Sequence, residues 1–157
     1  MYKYTNVFND ELNEKAASVE PFKLELKPDA NWEEAASNRA PPRWQMLAKQ
    51  KEVHRFIKLA LKHKLIRKSQ ARAWSQVLLT KKPNGKWRFC LDFRALNLNT
   101  KSIGWPIPNI KHVLDRIAKT GAKYFAVLDL TQGYYQMMID EASRYLTALR
   151  TAFGIFE

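Results

Sequence analysis

From Val77 onward, apolar and polar positions alternate with period two. Val77 and Leu79 fall on one side and Leu78 on the other; beyond Pro83-Asn84-Gly85, the residues Trp87, Phe89, Leu91 and Phe93 alternate with Arg88, Cys90, Asp92 and Arg94. Two such runs around a Pro-Asn-Gly turn predict a β-hairpin, because proline presets the first turn position and glycine tolerates positive φ. Upstream the repeat changes. Between residues 43 and about 65, Val53, Phe56, Ile57, Ala60 and Leu61 recur at helical spacing opposite a lysine-rich face, predicting an amphipathic helix after Pro41-Pro42. Pro108 opens a second helix with an apolar stripe of Ile110, Val113, Leu114 and Ile117, and Gly121 stops it. Residues 124–129 then predict a buried strand, with further strands near 136–139 and 146–153 and a polar turn at 140–144. Residues 97–108 read as a loop, and 1–40 mostly as linker with one edge strand through Phe22, Leu24 and Leu26.

Charge sharpens this picture. The net charge of +12 on 157 residues is uneven: −3 over residues 1–40, +13 over 41–94 and +2 over 95–157. A block that basic, interleaved with Trp44, Phe56, Trp74 and Trp87, suits a polyanion, because Lys and Arg gain by releasing counterions and aromatic faces stack on bases. A solvated cationic helix face, an acidic membrane surface and an acidic protein are the other readings of charge alone. With 46% hydrophobic residues the chain can bury a core as one domain or two small lobes. Cys90 is the only cysteine, which excludes an intrachain disulfide and a cysteine-based zinc site; inside a strand pattern it reads as a small buried filler. No apolar run approaches the roughly 18 residues of a membrane span, and the N-terminus has neither a secretory apolar core nor an acid-poor transit pattern. The expected address is cytosolic or nuclear.

Several side chains suggest chemistry. Asp129 closes an apolar run, where a rigid strand can present a carboxylate to a hard cation such as Mg²⁺; capping the next turn is the alternative use. Lys81, Lys82, Lys86 and Arg88 crowd the hairpin and can neutralise phosphates, although hairpin lysines also discourage edge pairing. Arg88 shares a face with Asp92 and Arg94, so an internal salt bridge of Asp92 to an arginine competes with nucleic-acid contact. Tyr134 and Tyr135 can stack on a sugar or base, or pack as core. His54, His63 and His112 share no spacing with acidic ligands and read as helix-surface residues.

Taken together, Trp74-Ser75-Gln76-Val77 and the run from Asn84-Gly85-Lys86-Trp87-Arg88 through Leu91-Asp92-Phe93-Arg94-Ala95-Leu96-Asn97 closely resemble the fingers of reverse transcriptases from gypsy-type LTR retrotransposons. Trp105-Pro106-Ile107-Pro108, Lys123-Tyr124-Phe125 with Leu128-Asp129-Leu130, and Gly133-Tyr134-Tyr135-Gln136 continue the match in order, so that the resemblance covers about residues 20–157.

The resemblance implies an α+β right-hand polymerase fold, truncated: a linker-like segment at 1–40, fingers at 41–118 and the incomplete start of the palm at 119–157. Asp129 matches the first catalytic aspartate, a ligand of two Mg²⁺ ions in the intact parent, with Mn²⁺ as an alternative. The Leu130 backbone carbonyl matches the position that contacts the metal under the triphosphate. Lys81 and Arg88 match residues that hold the incoming nucleotide's phosphates, Tyr134 the aromatic that blocks a ribose 2′-hydroxyl, and Gly133 the small residue beside it. Arg94 and Asn97 match a segment near the template. The implied partners are an RNA or DNA template-primer and deoxynucleoside triphosphates, with no membrane. The implied reaction is in-line attack of a primer 3′-hydroxyl on the α-phosphate, between two ions about 3.5–4 Å apart. The family's Tyr-x-Asp-Asp hairpin and the downstream polyprotein domains would lie beyond Glu157, so the chain alone is expected to be inactive. A non-enzymatic nucleic-acid-binding remnant using the 41–94 block is the alternative, and a membrane- or helix-binding basic helix at 43–65 a third reading.

Overall fold

Two units of local structure, a long basic helix and a hairpin, pack across one hydrophobic seam. The computed structural model describes residues 16–104, 106–130 and 133–157. Helix α1, Leu47–Lys62, starts just past the proline pair, with its first turn closed by the Gln50 N–H donating to the Met46 carbonyl at 3.1 Å. Its C-terminus is a Schellman turn: Lys64 takes left-handed backbone (φ 56°), its N–H returns to Leu61 O at 3.1 Å, and Leu65 N–H reaches Ala60 O at 2.9 Å. Glycine is the usual residue at that position, so the helix end carries no sequence signal.

The hairpin pairs β1 (Ser75–Lys81) with β2 (Trp87–Asp92) antiparallel, in a register that sets Lys81 opposite Trp87, Leu79 opposite Phe89 and Gln76 opposite Asp92. In the connection the Lys82 N–H donates to Lys86 O at 2.8 Å, and Gly85 adopts φ 76°, as the Pro-Asn-Gly sequence predicts. The sheet order is β2-β1-β3-β4, with β3 (Leu149–Thr151) parallel to β1 and β4 (Gly154–Phe156) antiparallel to β3. Val53 and Ile57 of α1 bury against Val77, Leu149 and Phe156, with Phe56, Leu79, Phe89 and Leu91 around them. Each such side chain removed from water stabilises the fold by about 1.5–3 kcal/mol.

A second cluster surrounds Trp32, which is 1% exposed among Ala73, Leu96 and Leu146. Leu24 and Leu26 flank it, Phe22 bridges to Ile139, and the short 3-10 turn Ala36–Arg39 follows. Residues of the segment that reads as linker therefore supply a core tryptophan. The carbonyl of Asn38 accepts from the Trp74 N–H at 2.8 Å and its side-chain amide donates to Trp32 O at 2.9 Å, which fastens this segment to the start of β1.

Downstream, the structure departs from several sequence expectations. Residues 97–108 do not begin as loop: helix α2, Arg94–Asn99, occupies the start, with Leu96 buried. Helix α3, Ile110–Lys119, forms as predicted, but its apolar stripe faces outward and none of its residues is buried. The strand expected at 124–129 is absent: 122–130 has no regular secondary structure, and Tyr124 and Val127 are over nine-tenths exposed. An apolar run becomes a strand only when a neighbour takes its backbone hydrogen bonds, and here no described strand lies beside it. The strand expected at 136–139 is replaced by the single turn α4, Gly133–Gln136, and an isolated bridge at Ile139. The one expected at 146–153 divides into a 3-10 segment, Glu141–Thr147, and the β3–β4 hairpin.

Candidate functional site

Cross-strand register decides what each hairpin cation faces. Residues directly opposite in an antiparallel pair share a side, so Lys81 and Trp87 lie on the α1 side with Leu79, Phe89, Val77 and Leu91. Arg88 pairs with Thr80, Cys90 with Leu78 and Asp92 with Gln76 on the other side. Lys81 and Arg88, both expected to hold phosphates, thus belong to opposite faces of one ribbon. The Lys81 ammonium stands 5.5 Å from the Trp87 ring centroid, and Lys49 from α1 stands 5.6 Å from the same ring. These cation–π contacts hold Trp87 between helix and hairpin. Cys90 is half-buried rather than a core filler, with its sulfur 3.9 Å from Thr80 Oγ1.

At the far end of β2, Arg94 grips Asp92 as a fork: Nε donates to Oδ1 at 2.8 Å and Nη2 to Oδ2 at 2.7 Å. Arg43 approaches the same carboxylate at 3.7 Å. The Arg94 guanidinium, partly opposed by burial, holds the Asp92 carboxyl at about 2, below the usual carboxylate range. The internal salt bridge anticipated from the shared face is therefore present, yet the Arg94 side chain stays 82% exposed and keeps donors for a second anion. Asn97 lies one turn along α2 and is exposed, so the two residues matched to the template present neighbouring positions.

Asp129 sits in the irregular 122–130 stretch, exposed, with no hydrogen bond or ion pair to a described residue. The Leu130 carbonyl accepts from the Gly133 N–H at 3.3 Å, leaving one lone pair free. A Cβ at Gly133 would come 3.2 Å from Leu130 Cβ, so glycine permits this close return. Tyr134 is 96% exposed, whereas Tyr135 leans on Phe56 with centroids 6.4 Å apart, and its desolvation raises the phenol pKa. No described contact joins Asp129 or Tyr134 to the hairpin. Among the described residues no group of three or more His, Cys, Asp and Glu is placed to hold a metal. A lone carboxylate and one carbonyl can share a Mg²⁺ with substrate phosphates, but they fall short of the oxygen set of a two-ion centre.

No protein-family model matches the chain. Among curated relatives, the retrovirus-related Pol polyprotein from transposon 412 of Drosophila melanogaster is 33% identical over 111 residues, 67% of this chain and 9% of that protein. The corresponding polyprotein from transposon gypsy of the same organism is 32% identical over 111 residues, covering 67% and 10%. An RNA-directed DNA polymerase homolog of Oenothera berteroana is 39% identical over 70 residues, 45% of this chain and 48% of that protein. In fold, 98% of the chain superposes on 20% of a prototype foamy virus protease-reverse transcriptase, with a TM-score of 0.67 at 20% identity. A foamy viral protease-reverse transcriptase in complex with double-stranded DNA gives a TM-score of 0.65 at 21% identity, over 93% of this chain and 24% of that one.

The chain belongs to the reverse-transcriptase region of gypsy-type LTR-retrotransposon polyproteins.

It spans about a tenth of the length of the Pol polyproteins it matches. Within this reverse-transcriptase region, sequence reasoning found the hairpin cations and Asp129 but missed three features. Arg150 places its guanidinium 4.5 Å from the Trp74 ring centroid, while Trp74 Nε1–H donates to Ala40 O at 2.8 Å. Gln76 receives the Arg43 N–H at 3.1 Å and donates to the Ala40 and Pro41 carbonyls, tying the proline pair to β1. Lys58 and Lys62 line a groove of about 650 Å³ between α1 and the hairpin. Their i, i+4 spacing on the polar helix face was the available signal.

Proposed function

We propose that this chain forms the fingers and the first palm segment of an RNA-directed DNA polymerase, and that it contributes nucleotide and template contacts without completing the catalytic centre by itself. The observation that supports this most directly is the ordered hairpin: Lys81, Lys82, Lys86 and Arg88 are concentrated on one short ribbon, inside a fold shared with solved reverse transcriptases. Lys81 and Arg88 bind the phosphates of the incoming deoxynucleotide. Tyr134, with Gly133 beside it, closes off the 2′ position of the sugar. Arg94 and Asn97 lie along the template backbone, where contact must be independent of sequence because any template is copied. Asp129 and the Leu130 carbonyl supply one share of a Mg²⁺ or Mn²⁺ pair, whose remaining carboxylates come from outside these 157 residues. When bound, that pair would stabilise attacking and leaving oxygens of the phosphoryl transfer.

The test is photo-crosslinking of a deoxynucleoside triphosphate to the chain in the presence of template-primer, followed by peptide mapping. Label confined to the hairpin peptide around residues 81–88 is expected; label distributed at random overturns the reading. Primer extension on poly(rA) with Mg²⁺ or Mn²⁺ is expected to give no turnover. Turnover abolished by Asp129→Asn would instead show a complete site.

A non-enzymatic nucleic-acid binder is the second reading. That Asp129 belongs to no group of three or more His, Cys, Asp and Glu side chains among the described residues favours it. It predicts the same oligonucleotide binding with no crosslinking preference for the hairpin.

A further inference from the structure

We propose that the groove between α1 and the β1–β2 hairpin is a second nucleic-acid contact, seating a single strand with its phosphates along a lysine rim and its bases toward an aromatic floor. This rests on the polymerase reading for the class of partner but is carried by Lys58, Lys62 and Lys82, to which that reading assigns no contact. The groove encloses about 650 Å³, within the roughly 300–1,000 Å³ typical of ligand clefts.

Its floor is Phe56 stacked on Phe89, with centroids 3.9 Å apart and planes 10° from parallel, walled by Tyr135 and Trp87. Its rim is cationic. Arg55, Lys58 and Lys62 stand on the helix side and Lys82 on the hairpin side, against the single carboxylate of Glu52. That carboxylate is already engaged by Arg55, at 3.0 Å to Nη2 and 3.2 Å to Nε. Lys58, Lys62 and Lys82 make no ion pair with any described residue, so three charges line a cleft that holds no free counter-charge of its own.

The pairing of rim and floor selects the occupant. Cations alone would accept any polyanion, and rings alone any apolar ligand; a chain with a phosphate at every step and a flat ring on every sugar satisfies both. A duplex hides its base faces in the stack and cannot use the floor. Position excludes simple redundancy with the nucleotide site as well. Lys58 and Lys62 belong to α1, across the groove from the hairpin tip, so a strand held there would continue past the hairpin rather than end at it.

The experiment uses the full 157-residue chain and a fluorescently labelled 12-nucleotide oligo(dT), with binding read by anisotropy across a salt series. Lys58→Gln combined with Lys62→Gln removes two exposed charges from the groove. Lys111→Gln combined with Lys119→Gln removes the same charge from exposed positions on α3. The groove pair is expected to lose roughly ten-fold in affinity and to lower the log–log salt slope by about 1.4, at 0.7 per phosphate on single strands, while the α3 pair changes affinity less than two-fold. Trp87→Leu should also weaken oligonucleotide binding roughly ten-fold, through lost stacking, but leave competition by inorganic polyphosphate unchanged. Equal losses from both charge pairs, or polyphosphate competing as well as the oligonucleotide, would overturn the groove while leaving nucleic-acid binding intact. Absence of any oligonucleotide binding by the unmodified chain would overturn both readings.

Discussion

Asp92 and Arg94, two residues apart, close a two-pronged ion pair at 2.7 and 2.8 Å where β2 passes into α2. The pair joins the end of β2 to the start of α2, and it ties a candidate template contact to the hairpin that carries the proposed phosphate-binding cations. Its strength is set by solvent. The Asp92 side chain is 11% exposed and that of Arg94 82% exposed, so water screens one partner far more than the other.

That asymmetry makes acid stability a test. The folded-state carboxyl of Asp92 titrates at about 2, below an ordinary value of 3.8, so its contribution is complete above pH 4 and disappears as the pH falls toward 2. Asp92→Asn is expected to cost about 1 kcal/mol at neutral pH, discounted for the exposure of Arg94. Chemical denaturation should show the gap between the two proteins narrowing between pH 4 and pH 2. A gap constant over that window would remove the fork as its cause.

Lys64 offers a gain. Its left-handed backbone at the end of α1 is a position where a side chain costs about 1 kcal/mol relative to glycine. Lys64→Gly should raise stability by about 0.5–1 kcal/mol, readable as a higher denaturation midpoint at unchanged slope. In the opposite direction, Gly85→Ala should cost about 1 kcal/mol, although no atom lies within 4 Å of the added methyl, because φ at that turn is 76°.

Trp32→Ala should destabilise by about 3–5 kcal/mol, the range for emptying a buried aromatic site. Deleting residues 1–31 while keeping Trp32 tests whether Leu24 and Leu26 hold the ring in place; a loss of about 2 kcal/mol or more is expected.

The salt dependence of duplex binding isolates the hairpin. Changing Lys81, Lys86 and Arg88 together to alanine should flatten the log–log slope by roughly 0.9 for each phosphate contact removed. An unchanged slope would take the hairpin out of the interface. Asp129→Asn should leave the folding midpoint within about 0.5 kcal/mol, because the residue is exposed and unpaired among the described residues.

Legibility in the sequence followed the range of the interactions. The hairpin and α1 could be read because alternation, a Pro-Asn-Gly turn and a helical stripe are each decided within about 20 residues. Trp32 was missed because burial of a single tryptophan amid acids and prolines depends on Ala73, Leu96 and Leu146, which are distant in sequence. Residues 124–129 misled for the complementary reason. Their composition favours a strand, but strand formation is a property of a pair, and the described chain offers no second member. The end of α1 at Lys64 was invisible because a lysine stands where the turn favours glycine. Of the site, Lys81, Arg88, Arg94 and Asp129 were singled out by the family resemblance of the motifs around them, local spacing alone leaving turn-capping and salt-bridge uses open, whereas the groove beneath the hairpin exists only once α1 and β2 have docked.

The placement of Lys81 and Arg88 on opposite sides of one two-stranded ribbon constrains how the hairpin can move. Tilting the ribbon toward α1 advances one cation and withdraws the other. On the proposed reading, in which both hold one triphosphate, the strands would rotate about their long axis, so the hairpin would act like a turning key rather than a falling lid.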